Sequence, residues 1–430
     1  MKSSATKVGN FFITLTSILI SSCSTPQLST SSNVSQNSIE QGKIVLKFWH
    51  GFTGADGDGM QEIVESFNQE HVGEIEVVVD KLSWDALFLK LIQNKTNPKF
   101  SPHIVAMGAN RVSSMNSRGI LRSLDGVEAF LEVNSDDFLP AAWQVGLLDS
   151  DVRYSFPLDM HPVGMYYNKD LVTEEELPQT WSEFASLARS KTNSSTGTYG
   201  WAIPNMYSIT KDVFYSMLLQ DGEDILDNSN QAVFNSAGAI ARLTEMYDWK
   251  YKDTISPLSV GAGGDLTLFQ QGKSAFYFDG PWMINTIRET SNIEFGVAPI
   301  PESIGEGGTS FSGSHQLTLV KSTVTDERTL EASYTFMEYL SLNSLRWAQA
   351  GQVPARLDVH QLDEYKALTD LKAFSEEAFT AKVGKTDYQY FYEAYNYMGS
   401  AVSNVLNNVK SPKVALDEKV NQFKLFVNEQ

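Results

Sequence analysis

The chain has 430 residues, too many for one ordinary core of roughly 100 to 200 residues and enough for two compact lobes. Its 33 Lys and Arg against 52 Asp and Glu give a formal charge of −19. So acidic a surface repels the phosphates that dominate nucleic-acid affinity, which excludes nucleic acid as a partner. With 42% hydrophobic and 11% aromatic residues the composition is that of a globular binder, not of a disordered or fibrous chain. A single cysteine, Cys23, rules out a disulfide framework, a thiolate zinc site and a thiol nucleophile in the folded body.

Residues 1–22 carry Lys2 and Lys7, no acid, the apolar run Phe11 to Ile20 and then Ser21 and Ser22, the layout of a cleaved export signal. The run is too short to cross a bilayer of roughly 30 Å as a permanent helix. Ile20-Ser21-Ser22-Cys23 resembles a bacterial lipobox. That resemblance implies cleavage before Cys23, acylation of the cysteine, and an exported protein anchored by lipid to the cell membrane, in the periplasm or at the cell surface. Loss of the two lysines takes the formal charge from −19 to −21. Residues 23–42 turn to Ser, Thr, Asn and Gln, cannot bury a core, and read as a flexible tether.

The folded body starts near Lys43. Ile44 to Trp49 reads as a strand; after the Gly-rich turn Gly51 to Gly59, the positions Met60, Ile63, Val64 and Phe67 recur at helical spacing behind a capping box of Asp58 and Gln61. A second strand, Glu74 to Val79, is followed by a helix capped by Ser83 with Trp84, Leu87, Phe88 and Leu91 on its apolar face, and Pro102 to Met107 gives a third strand. Strand, helix, strand, helix, strand predicts a parallel sheet. A second alternating region follows Tyr154, with Thr180 and Glu183 as a capping box and Leu266 to Phe278 as helix, Gly272 break and strand. Phe295 to Pro301 and Leu317 to Lys321 read as further strands, and the last ninety residues as mostly helical with a tyrosine-rich cluster at 388–397.

Reaction chemistry finds little support. No phosphate-cradling glycine loop occurs, and the six histidines show no local metal-ligand spacing, although distant residues can converge in space. No metal and no cofactor are expected. Ala55 to Gly59 invites a calcium loop, but Met60, Gln61 and Phe67 stand where ligands and the turn glycine belong. Ser312-Gly313-Ser314-His315 places a hydroxyl beside an imidazole without a nucleophile elbow. Asp159 and Asp279 remain as a carboxylate pair for glycoside hydrolysis, which needs two acids about 5 to 10 Å apart.

Several blocks in order carry a resemblance: Phe48-Trp49-His50-Gly51-Phe52, Ser101-Pro102-His103-Ile104-Val105, Phe156-Pro157-Leu158-Asp159, Tyr166-Tyr167-Asn168-Lys169-Asp170-Leu171, Leu177-Pro178-Gln179-Thr180-Trp181, Phe269 to Ala275, Asp279-Gly280-Pro281-Trp282 and Val353-Pro354-Ala355-Arg356. Together they resemble the family 1 extracellular solute-binding proteins of bacterial ABC sugar importers, maltose-binding protein among them. The resemblance implies an α/β, two-lobed periplasmic-binding-protein-like fold, each lobe a mainly parallel sheet flanked by helices. Hinge crossovers are implied near 149–154, 295–297 and 340–343. The lobes would divide the chain as 43–153 and 297–342 for the first, and 154–296 and 343–430 for the second. His103 stands where the family usually carries an acid, and Met107 and Asn110 stand where maltose binders place an aromatic and an acid. These departures point away from maltose, not from the class.

A sugar presents apolar C–H faces that lie on aromatic rings, and hydroxyl edges that need fixed donors and acceptors. On that basis, and by position in the family blocks, the ligand-binding candidates are His50, Phe52, Asn110, Arg111, Asp159, His161, Tyr207, Asp279, Trp282, Ser314, His315 and Arg356. Trp282 is the foremost of these. The expected function is capture of a mono- or oligosaccharide between two lobes by a monomeric receptor, without bond breakage, for delivery to an ABC permease. The rivals are a glycosidase using Asp159 and Asp279, and a receptor for a non-sugar solute.

Overall fold

The computed structural model describes residues 42–148, 152–206, 209–303 and 309–430. Cys23 and Tyr207 lie outside them, as do the signal segment and residues 149–151 of the first expected crossover. The body opens with β1 (Ile44–His50), α1 (Ala55–Glu70), β2 (Ile75–Lys81), α2 (Trp84–Asn94), β3 (Ile104–Gly108), α3 (Ala109–Ser117) and β4 (Leu121–Arg122). β1 pairs in parallel with β2, Ile44 opposite Ile75, and with β3, Phe48 opposite Ile104. The strand His315–Val320 runs antiparallel beside β3 and pairs further with β4 and with Phe156–Pro157.

Alternation along these strands assigns their faces, because successive side chains point to opposite sides of a sheet. Leu46, Phe48, Ile104, Ala106, Leu317 and Leu319 pack with Met60, Ile63, Val64 and Phe67 of α1. Trp49, Val105, Met107 and Val320 pack with Leu87, Phe88 and Leu91 of α2 and with Val112 and Met115 of α3. Ser83 caps α2 by accepting the Ala86 N–H at 3.4 Å, as its position predicts. α1 begins earlier than its apolar spacing suggests, at Ala55. Its first turn is organised by Asp56, whose Oδ1 accepts the Gly54 and Gly57 N–H groups, and not by an Asp58 box.

The second sheet has the order Tyr199–Trp201, Ser274–Asp279, Gly164–Asn168, Phe295–Ala298. Phe276 and Phe278 face Trp181, Phe184, Trp201 and Trp249, while Tyr277 turns to the opposite side with Tyr166 and Phe269. Thr180 and Glu183 form the expected capping box. The α/β two-lobe class stands, but the mainly parallel ladders do not. In the second sheet only the first pairing is parallel, and in the first sheet every ladder made by His315–Val320 is antiparallel. The direction of a fully buried strand depends on how the chain returns to it, and a continuous apolar run reads the same either way.

A small sheet of Ser312–Gly313, Asp159–Pro162 and Val353–Pro354 joins the two larger ones. The crossings therefore fall later than expected: Phe295–Ala298 is still bonded into the second sheet, and 340–342 still belongs to the helix Glu327–Leu342. The helix Ser344–Gln349 packs on α1, where Arg346 Nη1 donates to Ser66 Oγ at 2.7 Å, so residues just past 343 belong with the first sheet's layer. The C-terminal helices Phe391–Leu406 and Pro412–Asn428 pack on the second core. Among the described residues no helix is long and apolar enough to cross a membrane.

Two stability predictions follow from this packing. Phe48 is fully buried beneath α1, and Phe48→Ala is expected to cost about 3–5 kcal/mol in urea unfolding; a loss under about 1 kcal/mol would contradict that placement. Burial pushes Asp212 and Asp279 up to about 7 and Glu377 up to about 8, so each binds its proton when folded at a higher pH than when unfolded. Burial holds His50 down to about 4 and also lowers His103, His161 and His360, which act oppositely once the pH falls below the free imidazole value. Burial also lowers Lys250 to about 8, which opposes this above that pH, so stability measured by urea midpoints should rise as the pH is lowered from about 8 to about 6.5 and stop rising there. Glu377→Gln should flatten the part of that rise nearest pH 8.

Candidate functional site

Where the two larger sheets meet the small one, a cavity of about 440 Å³ is lined from both lobes. The first lobe contributes Gly51, Thr53, Gly54 and Asp56 from the loop after β1 and the start of α1, Trp84 from α2, and His315. The second contributes Trp282, Met283 and Thr286, and the joining segments contribute His161 and Gln352. The two indoles are seated in the same way. A Cβ at Gly51 would fall 2.2 Å from the Trp84 ring, and a Cβ at Gly280 would fall 1.9 Å from the Trp282 ring. Each ring lies against bare backbone, which only glycine permits.

Between them runs a chain of rings. Trp84 lies parallel to His315, at 5.4 Å between centroids and 11° between planes. His315 faces His161 at 4.3 Å, and His161 meets Trp282 edge-on at 5.6 Å and 75°. Beneath the imidazoles sits Asp159, wholly buried. Its Oδ2 accepts from Trp347 Nε1 at 2.8 Å and its Oδ1 from the His315 backbone N–H at 2.8 Å. His315 Nδ1 lies 2.8 Å from Oδ2, and His161 Nδ1 lies 3.2 Å from Oδ1. Burial alone would raise the Asp159 carboxyl, but the charge and hydrogen bonds of His315 and His161 outweigh it and hold the group well below the usual carboxylate range.

Of the sequence candidates, His161, Trp282 and His315 line the cavity and Asp159 orients two of them. Phe52 does not face it: the ring is buried edge-to-face against Trp84, His315 and Trp347 and buttresses the wall from behind. His50 is likewise behind the wall, with its rim against Phe48 and Phe52, its Nδ1 accepting the Phe52 N–H at 3.3 Å and its Nε2 buried without a partner. Ser314 is sealed in, donating to the Asp159 carbonyl at 2.6 Å and accepting from Gln316 Nε2 at 2.8 Å.

Asp279 holds the turn under Trp282, accepting from the Tyr277 hydroxyl and from the Gly280 N–H. Arg111 is clamped between the Phe88 and Tyr392 rings, 4.5 and 3.1 Å from their centroids, and Arg356 pairs with Asp358 at 2.8 Å. Neither arginine lines the cavity, nor does Asn110 at the start of α3. For Asn110 and Arg111 the position beyond β3 is as expected but the side chains do not reach the cavity, because direction depends on which neighbour covers the loop.

The residues missed are Trp84, Asp56, Thr53, Met283, Thr286 and Gln352. Trp84 fits the apolar spacing of α2 and so reads as core; its nearness to a glycine loop was the only available signal. Gln352 is fully buried on the cavity wall with neither amide atom partnered, a costly arrangement unless a ligand completes it. Among the described residues that line the cavity Asp56 is the only carboxylate, with Asp159 buried behind them, and none is a lysine or arginine. A larger hollow of about 650 Å³ between α1 and the helix Met283–Thr290 is lined by Asp58, Glu62, Glu65, Glu289 and Arg346 and by no aromatic ring.

Known proteins resemble the chain along most of its length. The galactooligosaccharide-binding protein of Bacillus subtilis is 22% identical over 384 residues, 84% of this chain and 85% of that protein. A maltooligosaccharide ABC transporter solute-binding lipoprotein of Streptococcus pneumoniae is 24% identical over 321 residues, 72% of this chain and 73% of its own. Among solved structures, an ABC substrate-binding protein of Listeria monocytogenes in complex with cycloalternan superposes with a TM-score of 0.76 at 18% identity. It covers 90% of this chain and 99% of that one, which establishes the shared two-lobed fold. The family model described as bacterial extracellular solute-binding protein matches residues 62–373. With that match and a cavity walled from both halves of a two-lobed fold, the chain belongs to the bacterial extracellular solute-binding proteins.

Proposed function

We propose that the protein captures an uncharged sugar, a mono- or oligosaccharide, between Trp84 and Trp282 and presents it to the membrane subunits of an ABC importer. The observation that carries this reading is the pair of glycine-seated indoles from opposite lobes on one cavity, with His161, His315, Thr53 and Gln352 supplying polar edges beside them. Stacking surfaces together with fixed donors and acceptors are what a sugar requires. Among the described residues no lysine or arginine lines the cavity, which argues against a phosphorylated ligand, since that would call for clustered bases. The relatives named above bind galactooligosaccharides, maltooligosaccharides and cycloalternan by their own descriptions, and this supports the same ligand class here.

A ligand touching both lobes favours the closed arrangement by its differential affinity. No bond is broken in this reading. Asp159 and Asp279 are each engaged by their own neighbours and neither lines the cavity, so the pair offers no acid and base to a glycosidic oxygen. The protein is exported, as its family is. We further propose the boundaries 43–153 with 297–342 and 154–296 with 343–430 as the approximate division of the lobes, with 297–298 reassigned to the second and Ser344–Gln349 to the first. Attachment through lipid on Cys23 and function as a monomer complete the proposal.

Titration calorimetry against a panel of gluco- and galacto-oligosaccharides tests it. At least one should bind, and Trp282→Ala and Trp84→Ala should each weaken that sugar by about 2 kcal/mol or more, roughly 30-fold in Kd. Binding that survives both substitutions unchanged would place the sugar elsewhere, and a bound oligosaccharide recovered as shorter products would favour hydrolysis.

A further inference from the structure

Asp159, His161 and His315 make up a unit that stacking of a sugar does not account for. Two of them share a short strand and the third arrives from the start of His315–Val320, so no local spacing announces the cluster. One donor atom from each lies within 4.8 Å of the other two. We propose that these residues form a binding site for one divalent transition-metal ion of the zinc type, held by the Nδ1 atoms of both imidazoles and by one Asp159 oxygen.

The spacing suits this. The Nδ1 atoms of His161 and His315 lie 3.2 and 3.1 Å from Asp159 Oδ1. Ligands about 2.0 to 2.2 Å from a shared ion stand roughly 3.0 to 3.5 Å apart. Two imidazoles and a carboxylate select zinc, cobalt or nickel over calcium and magnesium, which want oxygen donors throughout. The supports that orient a ligand set are already in place. The Trp347 N–H on Oδ2 and the His315 backbone N–H on Oδ1 fix the carboxylate and are not displaced when an ion replaces the contacts from the two imidazoles.

Charge points the same way. Asp159 is fully buried, and among the described residues its ion-pairing partners are both histidines, with no lysine or arginine. A dication would place two positive charges directly against that carboxylate and close to Asp56. His161 and His315 border the cavity, which provides an entry path. The proposal does not depend on the identity of the solute.

The test uses the whole chain, stripped with EDTA and titrated with Co²⁺ in the absence of sugar, then with Zn²⁺ in competition. One equivalent of Co²⁺ should bind with the visible absorption of nitrogen and oxygen ligation, and Zn²⁺ should displace it. His161→Ala and His315→Ala should abolish the spectrum, and Trp347→Phe should weaken binding about 10- to 100-fold while the ligands stay present. Independently of any variant, Zn²⁺ should protect His161 and His315 of the unaltered protein from diethyl pyrocarbonate, read by peptide mass spectrometry. The proposal is overturned if neither ion binds stoichiometrically, if both histidine variants bind as well as the parent, or if protection falls on other histidines. Sugar titrations are read separately, so failure here leaves the capture reading standing, and the reverse.

Discussion

The buried carboxylate of Asp159 is the constraint on which the site depends. Sequestering a charge completely is costly unless every lone pair is engaged, and here the partners come from different parts of the fold: Trp347 from a helix packed on α1, His315 from a strand of the first sheet, His161 from the joining strand itself. Removing any one of them leaves part of a buried carboxylate less well satisfied. The crossing between lobes is thus pinned at a defined point, and both imidazoles are held in fixed orientation on the cavity wall.

From that fixed point the aromatic chain extends in both directions. Trp84 stacks on His315 and belongs to the first lobe; Trp282 meets His161 and belongs to the second. Both indoles lie on glycine, so their positions are set by backbone and do not rely on flexible neighbours. Further contacts tie the lobes outside the cavity. Arg111 of α3 reaches the Tyr392 ring on a helix of the second core, and Ser113 Oγ donates to the Asp387 carbonyl at 2.6 Å. Arg111 was expected to meet ligand. Clamped between two rings, it ties α3 to that helix instead.

Much of the fold was legible because period-2 strands and capped helices announce themselves locally: Ser83 and Thr180 cap where their sequences place them, and Leu46, Phe48 and Trp49 alternate faces as a strand should. Ladder direction and crossover position were not legible, since both are set by long-range pairing, as when Phe295–Ala298 joins Gly164–Asn168. The site divides in the same way. Trp282 and His315 were readable from glycine-flanked turns at strand ends. Trp84 was hidden within an apolar helical spacing, and Phe52 and Ser314 looked exposed by position until neighbouring layers covered them.

Charge then narrows what the cavity holds. The chain is strongly acidic overall, yet the lining carries one carboxylate, Asp56, whose Oδ1 is already engaged with the first turn of α1 and whose pKa burial raises despite the opposing influence of His315. An anionic solute would meet no lysine or arginine among the described lining residues, and a cation would find little more than Asp56. For a neutral solute, discrimination falls to hydrogen bonding. The buried amide of Gln352, unpartnered at both ends on the wall beside Trp282, rewards a ligand that supplies both a donor and an acceptor, which is the chemistry of neighbouring hydroxyls on a sugar ring. Apolar stacking gives such a site its affinity, and the penalty for leaving Gln352 unsatisfied gives it selectivity among solutes of similar shape.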